Sequence, residues 1–201
     1  RVRLEAAVTA LDIEEFFQES TTKDDLKYIL KSSFSHEHKD RAAHQLLSKQ
    51  PTKSDLCLII EYATPHWGNT AFSYLLKQKP NGEELCFVLK HGTEYSRIKV
   101  SMIIFEQFAH SDYLVRVIEF APFQMKLEAV KKLLEKEEPS NDELQKIISL
   151  GQPFNNAAVE KALSLVPSND LLRTIIRYGN EKQEERARAI LDKRFSKKNT
   201  Y

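Results

Sequence analysis

The chain repeats itself about every 29 residues, and that period constrains its fold more than any other property. The apolar residue opening each unit recurs at Leu26, Leu56, Leu85, Leu114, Leu144 and Leu172, at intervals of 28 to 30. An apolar pair follows three and four positions later: Ile29/Leu30, Ile59/Ile60, Val88/Leu89, Val117/Ile118, Ile147/Ile148 and Ile175/Ile176. A small residue such as Ala63, Gly92, Ala121, Gly151 or Gly179 comes at the seventh position, and a second apolar cluster such as Leu46/Leu47 or Leu133/Leu134 near the nineteenth. A period of roughly 20–50 residues marks units that bury their faces only against their neighbours. Such a chain is expected to hold something along a surface rather than to enclose a reaction.

Each unit reads as two helices. Apolar positions 0, 3, 4 and 7 of its first half lie on one face of a 3.6-residue period. Thr22 with Asp25, Thr52 with Asp55, Asn81 with Glu84 and Ser140 with Glu143 have capping-box spacing, which satisfies orphan N–H groups at a helix start. Pro51, Pro80, Pro139 and Pro167 stand just before the caps and halt the preceding helix. Gly92, Gly151 and Gly179 are expected to stop the first helices through left-handed backbone. The second helix buries a small or β-branched seam read as Ala42, Ala71, Val100, Ala129, Val159 and Ala187.

These short antiparallel pairs, with proline before the first helix and a small-residue seam, resemble HEAT-like α-solenoid repeats over nearly the whole chain. The resemblance implies an all-α, right-handed solenoid of about six antiparallel helix pairs plus an N-terminal helix. Residues 1–20 read as that helix, part of a preceding repeat or a cap; 21–195 as six helix-turn-helix repeats, the last helix over 183–195; and 196–201 as a frayed tail.

Composition narrows the function. The 201 residues carry a formal net charge of +1, without the global basic footprint of most nucleic-acid binders. Charge is uneven at the ends: four basic against seven acidic side chains over 1–30, and seven against four over 181–201. No apolar run is long enough to cross a bilayer. Cys57 and Cys86 share one repeat position on neighbouring helices, too far apart to bridge, so two free thiols and an intracellular, cytoplasmic setting are expected.

No nucleophile motif, phosphate-cradling glycine loop or metal-ligand set is present. His36 and His38 read as solvated loop residues with His44 nearby, and no catalytic residue, metal or cofactor is assigned. Two surfaces are candidates for binding. The first is the outer stripe of the second helices, which the resemblance turns toward the concave face: His44, Ser73, Lys99, Met102, Glu128, Lys131, Lys161, Leu165 and Arg186. Ala158 and Ala189 complete its apolar members. The second is an aromatic between the two helices of four consecutive units: Trp67, Tyr95, Phe123 and Phe154. These rings are expected to plug the end of the seam; a ridge that meets a partner is the alternative.

The resulting expectation is a non-catalytic protein–protein interaction scaffold with an extended concave surface, a fragment of a larger protein. A protein partner is expected, and further repeats or domains of the same chain are expected to flank the array. The alternatives are a nucleic-acid-binding array and a substrate-docking or regulatory arm of a larger enzyme.

Overall fold

A computed structural model of the chain describes residue 17 and residues 21–32 and 34–198, the last two by backbone alone. The helix expected over 1–20 otherwise lies outside them. Among the described residues there are twelve α-helices and no strand. They are α1 (Lys23–Lys31), α2 (His36–Ser48), α3 (Lys53–Tyr62), α4 (Pro65–Lys77), α5 (Gly82–His91), α6 (Glu94–Gln107), α7 (Ser111–Phe120), α8 (Phe123–Leu134), α9 (Asn141–Ser149), α10 (Asn155–Ser164), α11 (Asn169–Tyr178) and α12 (Glu181–Lys198). The all-helical class read from the period is the fold observed. The last helix runs to Lys198, so the tail expected to fray from residue 196 is helical for three residues more.

The chain divides into two compact units, Arg1–Val100 and Ser101–Tyr201, the division falling within α6. In the first unit α1 packs on α2 and α3 on α4; the first helices α1, α3 and α5 stand in a row, and α2 lies beside α4. In the second unit α7, α9 and α11 form the row, paired with α8, α10 and α12. The openers Leu26, Leu56, Leu85, Leu114, Leu144 and Leu172 are buried, each at most 2% exposed. Each such side chain contributes on the order of 1.5–3 kcal/mol of burial.

All four expected capping boxes are formed, with both reciprocal bonds present. Their acids also join neighbouring pairs, which spacing alone did not indicate. Lys27 Nζ lies 2.9 Å from Asp55 Oδ1, and Lys23 Nζ donates to Gln50 O at 2.8 Å. One pair further on, Lys53 Nζ donates to Glu84 Oε2 at 2.8 Å and to Lys79 O at 3.0 Å. In the second unit Lys136 reaches Glu143 Oε1 at 2.8 Å and the Ser111 hydroxyl. Burial acts to raise the Asp55 carboxyl, but hydrogen bonds from the Thr52 N–H, Lys27 and the Thr52 hydroxyl outweigh it and hold it below the usual range. Glu143 follows the same pattern: burial is overcome by Lys136, Ser111 and the Ser140 N–H.

Three expectations about the second helices and the stops need correction. The buried seam keeps a constant spacing of 29 through Ala42, Ala71, Val100, Ala129, Ala158 and Ala187. Ala158 is wholly buried and is therefore a seam residue rather than part of an outer stripe. Gly92 and Gly179 have φ of −73 and −74, in extended backbone, so left-handed freedom is not why glycine stands there. A Cβ on Gly92 would lie 2.4 Å from Ser96 Oγ and 2.5 Å from Val88 O, and one on Gly179 2.7 Å from Ile175 O, so a larger residue at either position requires its neighbours to shift. Only Gly151 has the expected positive φ, 73. The left-handed stop recurs instead after second helices, at Gln50 (φ 49) and Lys79 (φ 52).

Candidate functional site

Open surface lies on both rows: a cavity of about 460 Å³ between first helices α7 and α9 is lined by Ile118, Glu119, Asp142, Gln145, Lys146, Ser149 and Leu150, and the second helices carry the candidate stripe. Burial of the seam residue and its successor, such as Ala71/Phe72 or Ala129/Val130, fixes which face each helix turns inward. The position two after the seam then points outward: His44, Ser73, Met102 and Lys131 are all exposed, Met102 at 46%. With the seam corrected to Ala158, the fifth unit's counterpart is Glu160. Lys161 and Leu165 fall out of register; both are half-buried, and Leu165 is the C-cap of α10.

Consecutive second helices leave grooves. Between α2 and α4 lies a cavity of about 450 Å³ lined by Glu37, Asp40, Arg41, His44, Gln45 and Trp67. Between α8 and α10 lies one of about 330 Å³, lined by Leu127, Val130, Lys131, Leu134, Glu135, Pro153, Phe154 and Ala157. Each groove joins the two surfaces that the sequence presented as alternatives. His44 of the stripe meets Trp67 of the aromatic series, ring centroids 5.2 Å apart. Lys131 of the stripe lines the same groove as Phe154, which Phe123 meets edge-on at 5.4 Å.

The aromatic series does not act uniformly as a plug. Phe154 is buried at 8% exposure, Trp67 is half-buried, and Tyr95 and Phe123 are more than half exposed, at 56% and 51%. The reason is position: Trp67, Tyr95 and Phe123 lie inside the first turn of the second helix, where side chains project beyond the seam. Lys99 covers the Tyr95 ring at 6.0 Å.

The charges on this face are largely paired. Lys131 lies 4.0 Å from Glu135, Glu128 4.0 Å from Lys132, and Arg186 2.8 Å from Glu160. Arg186 and Gln183 of α12 bridge to Glu160 of α10, joining those two helices. Ser73 donates to Asn69 O one turn back.

Other residues here escaped the sequence reading. Asp40 accepts from the Thr64 N–H at 2.9 Å and from the Thr64 hydroxyl at 2.8 Å. Asn69 accepts from the Thr93 hydroxyl at 2.5 Å. Both stand two residues before a seam alanine and tie one second helix to the next turn, 24 residues on. Asp40 and Asn69 coincide on the 29-residue register, but Ile98 and Leu127 follow them there, so no repeated signal marks the position. The histidines also differ from expectation: His36 and His38 lie in the first turn of α2, not in a loop, and His38 stacks on Phe17 and bonds Ser35. Among the described residues no group of three or more His, Cys, Asp and Glu is placed to hold a metal.

Cys57 and Cys86 are free and half-buried. Burial, then the charges of Glu84 and Glu61, push the Cys57 thiol up to about 11, which keeps it protonated and unreactive near neutrality. Among the described residues no helix is long and apolar enough to cross a membrane. No protein-family model matches the chain, and no curated protein is significantly similar to it.

Proposed function

We propose that the chain is a non-catalytic module that binds a protein partner along the outer face of its second helices, as a HEAT-like array does. The observation that carries this reading is the pair of open grooves, α2/α4 and α8/α10, each combining an aromatic ring with outward polar side chains. Aromatic anchors framed by polar groups suit protein recognition, where a few rings supply most of the binding energy. Phosphate tracking needs several uncompensated Lys or Arg. Here Lys131, Lys132 and Arg186 are each paired with a carboxylate. The right-handed solenoid, the intracellular setting and continuation into flanking repeats belong to the same reading.

The test is capture by the intact chain from cell extract with and without nuclease treatment, set against the double variant Met102→Asp with Lys131→Glu. A protein retained by the parent and lost by the variant, at unchanged helicity, supports the reading. Retention that nuclease abolishes favours nucleic acid, and retention indifferent to both substitutions removes this face as the site.

A further inference from the structure

The two grooves occupy the same place in the repeat, yet their chemistry differs. We infer that the α2/α4 groove seats a cationic side chain, arginine above all, presented by a partner protein; the inference rests on the protein-binding role proposed above. Trp67 supplies the ring, with His44 beside it at 5.2 Å and His66 edge-on at 5.0 Å. A cation within about 6 Å of an aromatic face is attracted to it, most strongly by Trp.

Glu37 and Asp40, three apart on α2, share a helix face and both line the cavity. The partners of Asp40 are the neutral N–H and O–H of Thr64, which hold its carboxylate in place without cancelling its charge. A carboxylate accepts at about four positions, so each oxygen retains capacity for a second donor. The planar, forked guanidinium suits this combination of ring and carboxylate better than a compact ammonium. Arg41 also lines the cavity, with its guanidinium carbon 4.4 Å from the Phe17 ring centroid, and the two carboxylates outnumber it in the lining. In the α8/α10 groove the charged residues Lys131 and Glu135 face each other and apolar side chains make the rest, so the same argument predicts no cation there.

Trp67 is the single tryptophan of the chain, so its emission reports on this groove alone. The full chain is titrated with acetyl-Gly-Arg-Gly-Arg-Gly-amide at low ionic strength, and with the counterpart in which Glu replaces Arg. A saturable change with the Arg peptide is expected, weakened by salt and absent with the Glu peptide. Glu37→Gln, at an exposed first-turn position, should weaken the Arg peptide about 3–10-fold, and Arg173→Ala on α11 should not. Calorimetry with Trp67→Leu should lose the binding heat. No saturable response, an equal response to the Glu peptide, unchanged affinity in Glu37→Gln, or full heat in Trp67→Leu would overturn the assignment. If the peptide fails while partner capture still depends on Met102 and Lys131, the groove assignment falls and the protein-binding reading stands.

Discussion

The first and second helices of each pair are built for different tasks. Four of the six first helices begin with capping boxes, and in three of them the acid, buried or half-buried, is clamped by lysines from a neighbouring pair: Asp55 by Lys23 and Lys27, Glu84 by Lys53, Glu143 by Lys136. Second helices bury a narrow seam and leave exposed aromatic and mixed polar residues over open grooves. The difference teaches where changes should act. On the proposed reading, substitutions on the first-helix row should cost folding, and those on the second-helix outer face should cost binding.

The sharpest way to break that contrast is to truncate the first-helix core. Leu114 is 2% exposed in α7. Leu114→Ala should cost about 2–5 kcal/mol in denaturant unfolding. A cost below about 1 kcal/mol, the scale of a surface change, would remove the first helices as the stabilising row. Asp55→Asn should cost about 1–3 kcal/mol, because it keeps the shape but loses charge-assisted bonds to Lys27 and the Thr52 N–H.

The clamps also set the acid limb of stability. Asp55 and Glu143 are held below the ordinary carboxylate range in the fold. Their contribution is whole above roughly pH 4, the unfolded range, and is lost as pH falls through the lower folded values. In that window the unfolded chain binds more protons, so stability drops as pH falls. Combining Asp55→Asn with Glu143→Gln should flatten that drop; an unchanged slope would show that other carboxylates govern it.

Smaller effects sharpen the picture. Ala63 and Ala121 occupy the C-cap that Gly92 occupies, with φ of −86 and −79 against −73. Gly92→Ala therefore has a nearby backbone geometry to relax into. Relief of the Val88 O contact is offset by a less flexible unfolded chain, and the net change should lie within about 1 kcal/mol. Smallest of all, Met102→Asp with Lys131→Glu should leave stability within about 0.5 kcal/mol, since both side chains are exposed. A large loss on melting would place them in the core.

The hydrophobic period made the helices legible, because a buried face must recur every turn. The capping boxes were equally legible, since three-residue spacing on one strand of sequence is enough to define them. The clamps were not. Lys27 reaches Asp55 across 28 residues of sequence, and only the stacking of α1 on α3 brings them together. The fifth unit misled for a different reason: Ala158, Val159 and Ala162 are all wholly buried, so its composition alone offers two seams one residue apart. The constant 29-residue spacing decides for Ala158. The candidate site was half legible: His44, Trp67, Lys131 and Phe154 stood out as residue types, but their convergence into shared grooves depends on packing between neighbouring helices.

Hydrogen exchange on the captured complex tests the central claim most directly. Binding along the second helices predicts that the partner slows exchange in α2, α4, α8, α10 and the exposed part of α6, while α1, α3, α7 and α9 exchange as in the free chain. Protection confined to the first helices would contradict it, because the row that stabilises the fold would then also be the row that binds.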